Sequence, residues 1–81
     1  MVKVDYDPYF RRAFNKLDKS IKMQVEKALV KIIENPEIGK PMKYARKGTR
    51  EVYLGSFRIS YAYDLSTDIL TFLDIYHKDE Q

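Results

Sequence analysis

Leu54-Gly55-Ser56-Phe57-Arg58-Ile59-Ser60-Tyr61-Ala62-Tyr63 is the stretch whose reading decides the fold. Gly55-Ser56 marks a turn, and beyond it Phe57, Ile59, Tyr61 and Tyr63 alternate with Arg58, Ser60 and Ala62. Large apolar and aromatic residues at period two predict a strand with one buried face. Arg58 falls on the opposite face, where its own strand offers only Ser60 and Ala62 as neighbours. A lone guanidinium on a sheet supported from behind suits a phosphate. The plainer reading is a charged residue that covers an exposed sheet face.

Working outward, residues 50–54 form a short strand joined to this one through Gly55-Ser56. Residues 64–68, Asp-Leu-Ser-Thr-Asp, are rich in side chains that bond their own backbone and predict a hairpin connection. Residues 69–76 are the last strand, apolar on both sides and therefore expected to be central in the sheet. Upstream, residues 37–48 predict a loop punctuated by Gly39, Pro41 and Gly48. Lys40, Lys43, Arg46 and Lys47 make it the most basic segment of the chain.

The clearest helix precedes that loop, with Ile21, Val25, Ala28, Leu29, Ile32 and Ile33 at helical spacing and Asn35-Pro36 as its stop. A shorter helix starts at Asp7-Pro8, a carboxylate cap followed by a residue with no amide to satisfy, and shows Phe10, Phe14 and Leu17 on one face. Val2, Val4 and Tyr6 alternate with Lys3 and Asp5 as a first strand. The predicted order is strand, helix, helix, strand, strand, strand. It describes one α+β domain over residues 1–81, with a two-helix hairpin on one face of an antiparallel three-strand meander.

Composition agrees with a single small domain. Eighty-one residues leave no room for a second core, and such a chain buries only about 60–65% of its unfolded surface. Charged residues make up 33% and hydrophobic residues 44%, ordinary for a globular protein. With no cysteine, neither a disulfide framework nor a thiolate metal site is available. The net charge of +3 permits an acidic partner such as nucleic acid without requiring one. The N-terminus lacks the apolar run of a signal peptide and no stretch is long enough to span a bilayer, so a cytoplasmic protein without a membrane partner is expected.

This order of elements, carrying these residues, resembles the RelE/ParE superfamily, the toxin halves of toxin–antitoxin pairs. The resemblance runs over nearly the whole chain. It rests on Asn35-Pro36 closing the second helix, on Gly39-Lys40-Pro41-Met42 in the basic loop, on Gly55-Ser56-Phe57-Arg58-Ile59-Ser60-Tyr61, and on the ending Asp74-Ile75-Tyr76-His77-Lys78-Asp79. It implies a RelE-like messenger RNA interferase: an endoribonuclease, free of metal and cofactor, that cuts messenger RNA on the ribosome and inhibits translation. A ribose 2′-hydroxyl would attack the neighbouring phosphate. The implied partners are a RelB-like antitoxin, in a possible toxin–antitoxin heterotetramer, together with the ribosome and its message.

On that resemblance Arg58 would stabilise the phosphorane, and His77, the only histidine, would be the general acid or base. Asp79 would orient the imidazole if the chain stays extended, and Lys78 would be a second phosphate contact. Lys43, Arg46, Lys47 and Arg50 would grip RNA backbone, and Tyr76 would face a base. Glu51 and Tyr53 stand where many nuclease members carry basic residues, so Glu51 either repels the phosphate or serves as a base itself. Members often have an aromatic residue shortly after the His-basic-Asp run, where this chain ends at Gln81. Two other readings stay open: a ParE-like toxin that poisons a DNA topoisomerase by binding, and a catalytically weak toxin fold acting mainly as an antitoxin-binding corepressor. The plain alternatives are a solvated His77, a soluble tail at Asp79, and loop lysines that only keep the surface charged.

Overall fold

The computed structural model describes residues 2–44 and 47–80. β1 (Lys3–Tyr6) leads into α1 (Pro8–Asn15) and α2 (Lys19–Glu34), followed by β2 (Lys40–Pro41), β3 (Thr49–Leu54), β4 (Phe57–Asp64), β5 (Ile69–His77) and a terminal 3₁₀ turn (Lys78–Glu80). The strands form one sheet in the order β1-β5-β4-β3-β2. β3, β4 and β5 make the expected antiparallel meander, and β5 is internal because β1 pairs with it in parallel.

Both helices start where their carboxylates accept free backbone amides. Asp7 accepts from the Tyr9 amide at 2.8 Å with Pro8 in the first turn, and Asp18 accepts from the Ile21 amide at 2.9 Å. The Ile21 amide bond, reinforced by the Ser20 hydroxyl, holds the Asp18 carboxyl below its ordinary range. The apolar faces of α1 and α2 then supply Phe10, Val25, Ala28, Leu29 and Ile32 to a core completed by Ile59, Tyr61, Leu70, Phe72 and Ile75 from the sheet.

Two features depart from the sequence-based expectation. Lys40–Pro41 is not loop but a short edge strand on β3; it pairs Lys40 with Glu51 and Pro41 with Arg50. The second departure is in β5. Tyr61 pairs with Phe72 while Ser60 pairs with Asp74, so Leu73 is an extra residue with no partner on β4. This β-bulge inverts the alternation for the rest of the strand. Leu70 and Phe72 face the helices before it, and Ile75 and His77 share the helix-side register after it, opposite Ile59 and Phe57. Asp74 and Tyr76 are thereby turned to the helix-free face.

The basic segment is held to the core from below. The Tyr61 side chain is fully buried, and its hydroxyl accepts from the Gly39 amide and donates to the Pro36 carbonyl, both at 2.8 Å. Glycine is required at residue 39 by closeness: a Cβ there would sit 2.6 Å from the Tyr61 oxygen. Burial pushes the Tyr61 phenol above its usual value of 10.0.

Tyr61→Phe strands a buried amide and a half-buried carbonyl, and is expected to cost about 1–3 kcal/mol in urea unfolding. Gly39→Ala is also expected to destabilise, and less so in the Tyr61→Phe background, because the clash and the hydroxyl are one site.

Alkaline titration gives a second check. Below the ordinary phenol range Tyr61 is neutral folded or unfolded, so its contribution is intact. As pH rises through about 10 the unfolded chain loses the proton first, and stability falls until the folded phenol also ionises. Thermal melts from about pH 9 to about pH 11 should show that fall in the parent, and a shallower one in Tyr61→Phe.

Candidate functional site on the helix-free sheet face

Strand alternation gives the face away from the helices two rows of side chains. One runs Tyr53–Arg58–Tyr76 across β3, β4 and β5, and the next runs Lys40–Glu51–Ser60–Asp74 from β2 to β5. Each row depends on the Leu73 bulge, since without it Asp74 and Tyr76 would face the core.

Arg58 projects into the first row. Its guanidinium carbon lies 4.0 Å from the centroid of the Tyr53 ring. Its Nη1 donates to the Phe57 carbonyl at 3.1 Å and the Gly55 carbonyl at 3.2 Å. Those carbonyls belong to the tight turn between β3 and β4. Gly55 has φ +59° at the first of its two loop positions, the conformation glycine takes without strain and the one a two-residue hairpin of type II′ needs.

Glu51 is the only buried charged residue among those described, at 2% exposure. The Tyr76 hydroxyl donates to its Oε2. The carboxylate therefore lies under the Tyr76 phenol rather than open to solvent, and Lys40 stands opposite it on β2.

His77 lies elsewhere. It is paired with Phe57, and the two rings meet edge to face at 5.4 Å. Its Nδ1 accepts from the Asp79 amide at 3.2 Å and stands 3.4 Å from Asp79 Oδ2. Arg58 and His77, to which the resemblance gives the phosphate and acid–base roles, thus lie in opposite registers because of the bulge. Asp79 reaches the imidazole not along an extended strand, as expected, but because residues 78–80 curl into a 3₁₀ turn. That turn is tied to the β3–β4 hairpin by the Lys78 amide, which donates to the Ser56 carbonyl at 2.7 Å.

The basic residues divide. Lys43 and Lys47 are exposed on the segment between β2 and β3. Arg46 lies outside the described residues. Arg50 shares the helix-side register of Tyr61, and its Nη1 donates to the Glu37 and Gly39 carbonyls at 3.0 and 2.8 Å. It reinforces the clamp that Tyr61 makes. Sequence reasoning named Lys40 only within the basic segment and Tyr53 only as standing where many nuclease members carry basic residues; the opposition of Tyr53 to Arg58 could have been counted back from Gly55-Ser56.

Residues 4–81 match the family model described as the ParE toxin of type II toxin-antitoxin system, parDE. The chain belongs to this toxin family. Among solved structures, the RelBE2 toxin–antitoxin complex from Mycobacterium tuberculosis is similar at 27% identity and TM-score 0.83, over 94% of this chain and 96% of that one. The RelBE toxin–antitoxin complex from E. coli is similar at 19% identity and TM-score 0.81, over 95% and 96%. The YoeB/ParE toxin from Agrobacterium tumefaciens is similar at 13% identity and TM-score 0.81, over 94% and 98%. These likenesses establish a RelE-like toxin fold. No match was found among curated protein sequences. No helix among the described residues is long and apolar enough to cross a membrane.

The division of the basic residues is measurable. Arg50→Ala should cost about 1–3 kcal/mol and speed amide exchange around Gly39, because a charged donor to two carbonyls is lost. Lys47→Ala should leave both unchanged.

Proposed function

We propose that this toxin is an endoribonuclease that cleaves messenger RNA on the ribosome, with the helix-free sheet face as its active surface. The observation that carries the reading is the row Tyr53–Arg58–Tyr76, with the guanidinium stacked on the Tyr53 ring and Tyr76 bonded to a buried carboxylate. The ring of Tyr76 on an open sheet suits an unstacked base, and the guanidinium accepts a phosphodiester. Ribosome dependence enters from the superfamily resemblance.

In this reading the 2′-oxygen attacks phosphorus, the P–O5′ bond breaks, and the products are a cyclic phosphate and a 5′-hydroxyl. One proton passes, in net, from the 2′-oxygen to the 5′-oxygen. Arg58 offsets the charge that grows on the phosphorane. Tyr76 faces the substrate, takes the 2′-proton and hands its own to Glu51, so Glu51 works without touching RNA; water protonates the departing 5′-oxygen, and Glu51 returns its proton to solvent. Lys78, beside the hairpin, is a second phosphate contact, and Lys43, Arg46 and Lys47 hold RNA backbone. Arg50 is spent on the loop. His77 with Asp79 remains a candidate acid only if the imidazole reaches around the end of β5.

The toxin's partner is an antitoxin of the RelB kind, by likeness to the complexes above. A groove of about 300 Å³ between α2 and β3, floored by Ile32, Val52 and Leu54 and edged by Lys27 and Lys31, suits an acidic amphipathic segment of it.

A second reading is favoured by the placement of His77 away from Arg58: a ParE-like toxin that binds a DNA topoisomerase and cuts nothing. Mapping transcript ends alongside plasmid supercoiling after induction separates the two. New ends within translated messages are expected; intact messages with altered supercoiling would sink the nuclease. Arg58→Ala should abolish growth arrest and keep antitoxin binding. Glu51→Gln and Tyr76→Phe should each slow cleavage by about 10²-fold or more, as loss of a general base does. His77→Ala should stay within a few-fold of the parent. Its complete inactivity would return the proton transfer to the imidazole.

A further inference from the structure

An aromatic ring left 54% exposed on a sheet face needs a reason, and Tyr53 has no place in the core. Its ring lies against the Arg58 guanidinium. The two residues are directly opposite in the β3–β4 ladder, so the stack is set by strand register rather than by chance side-chain positions.

The stack and the hydrogen bonds constrain different freedoms. Lying over the ring fixes the plane of the guanidinium. Donation from Nη1 to the Gly55 and Phe57 carbonyls fixes its rotation within that plane. A planar group held in both respects has only one direction left for its remaining edge. The Nε and Nη2 donors are not used in these contacts, and such an edge grips two phosphate oxygens at once. Without the ring, the turn carbonyls alone would leave the guanidinium free to tilt about the Nη1 contacts.

We propose that Tyr53 is a positioning residue that holds the Nε–Nη2 edge of Arg58 ready for a phosphodiester. The inference rests on the reading of Arg58 as the phosphate-binding group. Tyr53 acts through Arg58 and is not a catalytic residue. Its hydroxyl is dispensable and its ring is not. Most of the ordering of Arg58 is therefore done before RNA arrives, which lowers the entropy lost on binding.

The test uses Tyr53→Phe, Tyr53→Leu, Arg58→Lys and Arg58→Ala in the full chain. The first readout needs no substrate. In the free toxin the Arg58 Nε–H proton should show a ring-current shift in the NMR spectrum; the shift should persist in Tyr53→Phe and vanish in Tyr53→Leu. The second is affinity for a single-stranded RNA oligonucleotide made uncleavable by 2′-deoxy substitution. Tyr53→Leu should weaken it by about 3–5-fold, the size of one exposed cation–aromatic contact, while Tyr53→Phe matches the parent. Arg58→Lys should bind as weakly as Tyr53→Leu or more so, since an ammonium cannot offer the paired edge. Melting temperatures for all Tyr53 variants should stay near the parent's, which separates positioning from folding.

Three outcomes would overturn the proposal. If Tyr53→Leu binds the oligonucleotide like the parent while Arg58→Ala does not, Arg58 is a phosphate group that needs no platform. If Tyr53→Phe is as weak as Tyr53→Leu, the hydroxyl rather than the stack is responsible. If Arg58→Ala also binds like the parent, the phosphate reading has failed, and the positioning role falls with it.

Discussion

One extra residue sets what each face of this sheet presents. Leu73 has no partner on β4, and from there to the end of β5 the inward and outward positions are exchanged. The energetic reason lies in what would otherwise be buried. With regular alternation Asp74 would turn into the core and Ile75 out to solvent; the bulge instead buries Ile75 to 5% exposure. Burying an isolated carboxylate costs several kcal/mol, and exposing an isoleucine forfeits about 2, so an unpaired residue in a ladder is the cheaper arrangement. The functional consequence follows from the same choice, since Tyr76 lands next to Arg58 and His77 does not.

The second constraint is the Tyr61 clamp. The chain leaves α2 at Asn35 and must reach the edge of β3, and the segment in between has little apolar material of its own. Tyr61 and Arg50 hold it through backbone atoms at residues 36, 37 and 39. Both side chains stand on the helix side of the meander, so the floor of the sheet holds the loop that edges the opposite face. Packing and site are linked here by hydrogen bonds to main chain, which tolerate almost any side chain at those loop positions except a Cβ at Gly39.

What could be read from the sequence divides along the same lines. The strand from Phe57 to Tyr63 and the helix from Ile21 to Ile33 were legible because each buries one face with an unbroken period. The start of the first helix was legible because Asp7 caps by local chemistry. The bulge was not, because Leu70, Phe72, Leu73 and Ile75 are all apolar and supply a plausible inward run at either parity. Arg50 was misleading for a related reason: a cation in a basic segment looks the same whether it reaches a phosphate or a carbonyl. Two-residue β2 contains a proline and carries no periodic signal at all. Asp79 stands beside His77 through a 3₁₀ turn rather than through the extended chain on which its expected placement depended.

The carboxylate on the candidate face, a liability in the sequence, becomes intelligible in the structure. A bare Glu51 next to an incoming phosphate would oppose it by Coulomb repulsion of order 4 kcal/mol at 4 Å and moderate dielectric. The structure interposes the Tyr76 ring and hydroxyl between Glu51 and the open face and sets Lys40 opposite the carboxylate. Arg58 meanwhile stands in the adjacent row, stacked on the Tyr53 ring rather than paired with the acid. The negative charge is thus available for a proton passed through the phenol while being poorly placed to repel the group that Arg58 would bind. A lysine at position 51 would strengthen the field of the face but remove the only buried proton acceptor among its described residues. The arrangement fits the proposed nuclease, in which this face has to receive a proton as well as hold an anion.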